Sequence, residues 1–126
     1  MEVTQKKILI VDDEPDFHSV LRARMEREGF EVFDAYEGQE ALRLVKEVKP
    51  DVAIIDVIMP GMNGFEVCKI IKAERPDLKI IIYTAKIDGV DAGKAKEVGA
   101  DLFTVTTSSL VLLLASIKRI MSVDKK

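Results

Sequence analysis

Val52-Ala53-Ile54-Ile55-Asp56-Val57-Ile58-Met59-Pro60-Gly61-Met62-Asn63-Gly64 decides the fold. Its opening run of apolar residues reads as a strand buried on both faces. The run breaks on a carboxylate, and Pro60-Gly61 then turns the chain. An acid at the carboxyl end of a buried strand stands where parallel α/β sheets hold their ligands. Packing gives no reason for a charge there, because burying one unpaired is costly. Asp56 is therefore the candidate working residue.

Working outward, Ile8-Leu9-Ile10-Val11 is a second apolar run, and it ends on Asp12-Asp13-Glu14-Pro15. The proline suits the first turn of a helix. Phe17, Val20, Leu21 and Met25 follow at helical spacing, and Gly29 closes that helix. Residues 31–35 are mixed in character and suit an edge strand. Residues 37–48 read as a helix with Ala41, Leu42, Val45 and Val48 on one face, stopped by Lys49-Pro50. Past the Asp56 strand, Asn63 is a good N-cap for a helix running through Phe65, Val67, Cys68 and Ile71 to about Arg75. Residues 78–83 form a third apolar strand ending on Thr84. Residues 88–98 make a weak helix, since Gly89 and Gly93 each cost about 1 kcal/mol relative to alanine. A last strand at 101–105 ends in Thr106-Thr107-Ser108-Ser109, and a last helix covers 110–122.

Five strands alternating with five helices predict an α/β fold, a doubly wound parallel sheet with right-handed crossovers and helices on both faces. The 126 residues suit a single domain with a core from about 7 to 121 and frayed ends. The formal net charge of -3 gives no general attraction for nucleic acid or an anionic membrane. One cysteine, Cys68, excludes an internal disulfide and fits a reducing compartment. No signal peptide and no apolar run near the roughly 20 residues of a membrane span are visible, so a cytoplasmic location is expected.

The strand ends carry the chemistry. Asp12 and Asp13 follow the first strand, Asp56 ends the third, Thr84 the fourth and Thr106 the fifth. In a doubly wound sheet the first, third and fourth strands are neighbours, so the carboxylates and a hydroxyl converge. Crowded carboxylates repel and raise one another's pKa, and a divalent cation removes that difficulty. Oxygen-only ligands suit Mg²⁺. The set predicts a site in which Asp56 is a nucleophile toward phosphate. Taken singly the same residues have plainer readings. Asp12-Asp13-Glu14 fits an acidic helix start, Asp56 a turn-capping aspartate, Thr84 an ordinary strand end, and 106–109 a helix cap.

Asp12-Asp13, Asp56 with Met59-Pro60-Gly61-Met62-Asn63-Gly64, Thr84-Ala85 and Gly99-Ala100-Asp101 occur in this order. The chain carrying them resembles the receiver domain of two-component response regulators, from Lys7 to about Met121. The resemblance implies a flavodoxin-like sheet of order 2-1-3-4-5. It implies phosphorylation of Asp56 by the phosphohistidine of a histidine kinase or phosphotransfer protein. It implies Mg²⁺ held by Asp13, Asp56 and the main-chain carbonyl of Ile58, with Asp12 acting through water. Thr84 would be the switch hydroxyl and Phe103 the rotating aromatic. Such a module switches an output or a partner and turns over no metabolite, so it is not an enzyme in the usual sense.

One departure stands out. The family usually has Lys-Pro after the last strand, and this chain has Thr106-Thr107. A neutral hydroxyl supplies no charge, so the pocket should be more negative and its coupling to the last strand weaker. Lys86 is the candidate substitute charge. Ile58 offers nothing to orient an attacking water, which predicts slow dephosphorylation. The alternatives are a pseudo-receiver that binds partners without phosphate and a flavodoxin-like cofactor binder. The second lacks a phosphate loop after the first strand. His18, the only histidine, reads as a solvated residue of the first helix, away from the strand ends. Cys68 reads as core. In the last helix Leu110, Leu113, Leu114, Ile117 and Met121 make a sufficient buried stripe. Val111 and Leu112 then point elsewhere, which predicts a homodimer or effector surface.

Overall fold

The computed structural model describes residues 5–85, 89–105 and 110–123. Each apolar run is a strand: β1 (Lys7–Val11), β2 (Glu31–Ala35), β3 (Val52–Asp56), β4 (Lys79–Thr84) and β5 (Leu102–Val105). Between and after them run α1 (Pro15–Arg27), α2 (Gly38–Val48), α3 (Gly64–Glu74), α4 (Gly89–Glu97) and α5 (Val111–Val123). All strand pairs are parallel, in the order β2-β1-β3-β4-β5. The mixed strand β2 is at one edge, as its composition predicts. Element ends differ from the sequence reading by a residue or so, which is the ordinary scatter of helix and strand termini.

Alternation along the strands divides the core into two layers. Leu9, Val11, Ala53, Ile55, Ile80 and Ile82 face α2, α3 and α4, where they meet Ala41, Val45, Val67, Cys68, Ile71 and Ala95. Ile8, Ile10, Ile54, Ile81 and Tyr83 face α1 and α5, where they meet Leu21, Met25, Leu113, Leu114 and Ile117. Central strands buried on both faces have no polar side, which is why their sequences are unbroken apolar runs. Cys68 is fully buried, as expected for core.

Two expectations need correction. Val20, counted on the inner face of α1, is 55 % exposed. The inward positions of that helix are His18, Leu21 and Met25. His18 is therefore not solvated, and it is 2 % exposed. Apolar spacing alone did not reveal that the sheet offers this helix a polar partner. In α5 the buried stripe is Leu113, Leu114, Ile117 and Ile120, with Leu110 and Met121 packed partly against it. Val111 and Leu112 are exposed, at 67 % and 62 %.

The loop after β3 is held tightly. Gly61 has φ +73°, a left-handed turn that favours glycine. Asn63 caps α3 reciprocally: its Oδ1 accepts from the Glu66 amide at 3.0 Å, and Glu66 Oε1 accepts from the Asn63 amide at 2.9 Å. Gly64 lies so close to the strand end that a Cβ there would be 2.1 Å from the Asp56 carbonyl oxygen. Among the described residues no helix is long and apolar enough to cross a membrane.

Candidate functional site

Register brings the site together. Val11 pairs with Ile55, so Asp12 and Asp56, the next residues, emerge side by side at the carboxyl ends of β1 and β3. Asp56 pairs in turn with Tyr83 of β4. Alternation continues Ile8 and Ile10 to Asp12, Ile54 to Asp56 and Ile81 to Tyr83, so these three lie in one row on the α1/α5 face. Asp12 is buried, Asp56 half-buried and Asp13 exposed. One carboxylate oxygen from each of the three acids lies within 4.8 Å of the other two.

Such crowding shows in the acidities. Burial, with Asp12 and then Asp13 adding like charge, pushes the Asp56 carboxyl up to about 7, although the Ile58 and Val57 amides oppose the shift. The Ile58 N–H points at Asp56 Oδ1 at 3.4 Å. Asp12 is also raised, by burial first. The Tyr83 hydroxyl, the Glu14 amide and the His18 ring pull it back. This is a negative cluster with one side open to solvent through Asp13.

The residues fit a hard divalent cation. Every donor of the cluster is an oxygen, and the exposed side leaves room for retained water, the preference of Mg²⁺.

Two residues that the sequence reading did not place at the site hold Asp12 in position: Tyr83, read only as part of an apolar strand, and His18, read as solvated. Tyr83, 3 % exposed, donates its hydroxyl to Asp12 Oδ2. Burial and the Asp12 charge raise this phenol far above its ordinary value, so it stays protonated. Its ring stacks on Phe17, with centroids 5.0 Å apart. His18 Nε2 lies 2.6 Å from the Asp12 carbonyl oxygen. A carbonyl only accepts, so Nε2 is the donor. His18 Nδ1 lies 2.7 Å from Asp34 Oδ1, and Arg22 pairs with the other Asp34 oxygen. The pairing of Ile10 with Asp34 between β1 and β2 makes this contact, which no local pattern announces. For Tyr83, counting by twos along β4 shows only that it shares a face with Ile81; the β3–β4 register is what puts that face with Asp56.

Of the other expected residues, Thr84 is buried at the end of β4, where it pairs with Val105. Ile58 is 58 % exposed just past Asp56. Phe103 is half-buried against the α2–α4 layer. Lys86 and Thr106, with the rest of 106–109 and the chain ends, lie outside the described residues.

Set beside known families, residues 8–118 match the response regulator receiver domain. The chain belongs to the response regulator receiver domain family. Solved structures agree. The chemotaxis protein CheY4 of Vibrio cholerae is 30 % identical, with a TM-score of 0.86 over 92 % of this chain and 98 % of that one. The response regulator TrrA of Thermotoga maritima, solved in complex with Mg²⁺ and BeF, is 33 % identical, with a TM-score of 0.83 over 91 % of this chain and 98 % of that one. The signal receiver domain of a histidine kinase from Syntrophus aciditrophicus is 32 % identical, with a TM-score of 0.84 over 96 % of this chain and 93 % of that one. This receiver is accordingly a two-component signalling module and not a conventional enzyme. Its acidic pocket is Asp12, Asp13 and Asp56.

Proposed function

We propose that the chain acts as one receiver unit, that Asp56 accepts a phosphoryl group, and that the change at Asp56 switches binding of a partner. The donor would be the phosphohistidine of a histidine kinase or phosphotransfer protein. The observation that carries this reading is the half-buried Asp56 with carboxylate oxygens of Asp12 and Asp13 within 4.8 Å. An Asp56 oxygen would form a bond to phosphorus as the donor's N–P bond breaks, and the released imidazole takes up a proton from solvent. The Ile58 amide at 3.4 Å and the packed loop behind it hold that carboxylate in place.

Asp13, Asp56 and the Ile58 main-chain carbonyl would hold Mg²⁺, with Asp12 acting through water. The bound cation would neutralise the crowded carboxylates and the incoming phosphoryl oxygens. The Mg²⁺ in the TrrA structure supports this choice of metal. Thr84 would supply the switch hydroxyl from the end of β4. Thr106 supplies no charge where the family has lysine, and Lys86 is the candidate to offset that loss. The exposed, apolar Ile58 offers no group to orient water, so the phosphoryl group should be lost slowly. The exposed Val111 and Leu112 support a homodimer or effector surface on α5.

The direct experiment is intact-mass measurement after incubation with Mg²⁺ and a small-molecule phosphodonor, with Asp56→Asn as control. One phosphoryl group gained only with Mg²⁺ and only by the unsubstituted chain is the expected result. No gain by a folded chain would favour the pseudo-receiver, for which the Thr106 substitution is the motive.

A further inference from the structure

Tyr83 takes no part in the transfer chemistry above, yet it is almost fully buried and its hydroxyl is spent on an acid two strands away. β3 runs between β1 and β4, so the Tyr83 and Asp12 side chains together bridge the roughly 9–10 Å between those two strands. Asp56, which pairs with Tyr83 and follows the Val11–Ile55 pair, stands on the strand between them. Phe17 stacks on the ring. The other Asp12 oxygen accepts the Glu14 amide at 2.7 Å, and the Asp12 carbonyl accepts from His18 at 2.6 Å. Both carboxylate oxygens are thus fastened, and each keeps one further lone pair.

We propose that Tyr83 is a positioning residue for the cation of the acidic pocket. Its hydroxyl holds the Asp12 carboxylate in the orientation that turns the remaining lone pairs toward the space shared with Asp13 and Asp56. This rests on the reading of that pocket as a Mg²⁺ site. Groups that orient the neighbours of a metal typically change its affinity 10- to 100-fold when removed. Asp12 is expected to act through water, so the lower end of that range applies.

The test is calorimetric titration of Mg²⁺ into four chains: the unsubstituted protein, Tyr83→Phe, Phe17→Leu and Asp13→Asn. Tyr83→Phe keeps the ring and its stacking and removes only the hydroxyl. It should weaken Mg²⁺ binding about tenfold. Phe17→Leu disturbs the packing and keeps the hydroxyl, and it should stay within about twofold. Equal or tighter binding by Tyr83→Phe would overturn the proposal. So would a loss in Phe17→Leu as large as in Tyr83→Phe, because packing alone would then account for it. Asp13→Asn separates the two levels of the reading. If the unsubstituted chain binds no Mg²⁺, or Asp13→Asn binds it equally well, the pocket is not the metal site and the role of Tyr83 falls with it. Should Tyr83→Phe fail to fold, 3-fluorotyrosine at Tyr83 in a Tyr36→Phe chain gives a second readout. A ¹⁹F signal that shifts on Mg²⁺ addition and saturates with the calorimetric Kd supports the proposal, and an unmoved signal overturns it.

Discussion

Asp56 carries the pH behaviour of the molecule at the scale of a single residue. Burial and its acidic neighbours hold its proton in the folded chain up to about pH 7, against an ordinary value of 3.8. The folded state therefore binds more protons than the unfolded state between those limits. The contribution to stability is complete below the lower limit and is lost as pH rises through the upper one. In a metal chelator, the melting temperature should fall between about pH 4 and pH 7 and level off above that. Asp56→Asn carries no charge and should melt higher than the unsubstituted chain at pH 8, by about 4 °C for each 1 kcal/mol of repulsion removed. Thermal scans with and without Mg²⁺ check this: the cation should restore the unsubstituted chain far more than Asp56→Asn. An identical pH slope in both chains would rule out Asp56 as its source. His18 allows a second test. A solvated helix residue would tolerate alanine within about 0.5 kcal/mol. The buried ring, bonded to Asp12 and Asp34, should cost about 2–4 kcal/mol when removed, read from the urea midpoint.

The loop and helix after β3 form the element that aims Asp56. Asn63→Ala should cost about 1 kcal/mol, since it removes one half of the reciprocal cap on α3. Gly64→Ala is the harsher change, because its Cβ would meet the backbone carbonyl of Asp56 and not the yielding end of a side chain. The strand end or the loop must move. A loss of about 2–3 kcal/mol is expected, together with weaker Mg²⁺ binding, whereas Asn63→Ala should leave Mg²⁺ binding unchanged. Chemical denaturation paired with calorimetry separates the two effects. The other end of the sheet is held differently: Asp101 accepts the Ile80 amide at 2.8 Å and pairs with Lys72 at 2.8 Å. The Asp of the Gly99-Ala100-Asp101 motif thus ties β4 to α3 far along the chain from the acidic pocket.

Across the whole molecule, two apolar layers sandwich one sheet and leave its carboxyl edge for chemistry. Val111 and Leu112 are large apolar residues of α5 that stand exposed, outside the α1/α5 core layer. If they mediate self-association, light scattering with Mg²⁺ and beryllofluoride should give the mass of two chains. Val111→Lys with Leu112→Lys should return it to one, with stability unchanged within about 0.5 kcal/mol. A single-chain mass at every concentration would remove the homodimer and leave a different protein as the partner for that surface.

Period and punctuation in the sequence determined the strands, the helices, the parallel sheet and the acids at its carboxyl edge. These follow from local rules: apolar runs, caps and turns act within a few residues of where they are written. Register is not local. Only the packed sheet put Asp12, Asp56 and Tyr83 in one row, and only the β1–β2 pairing brought Asp34 to His18. A polar side chain on a helix reads as solvated until a distant strand supplies its partner. A tyrosine in an apolar run reads as core until its hydroxyl is found two strands away. Long-range hydrogen bonds between buried groups leave no periodic trace in the chain, and tertiary structure alone decides them.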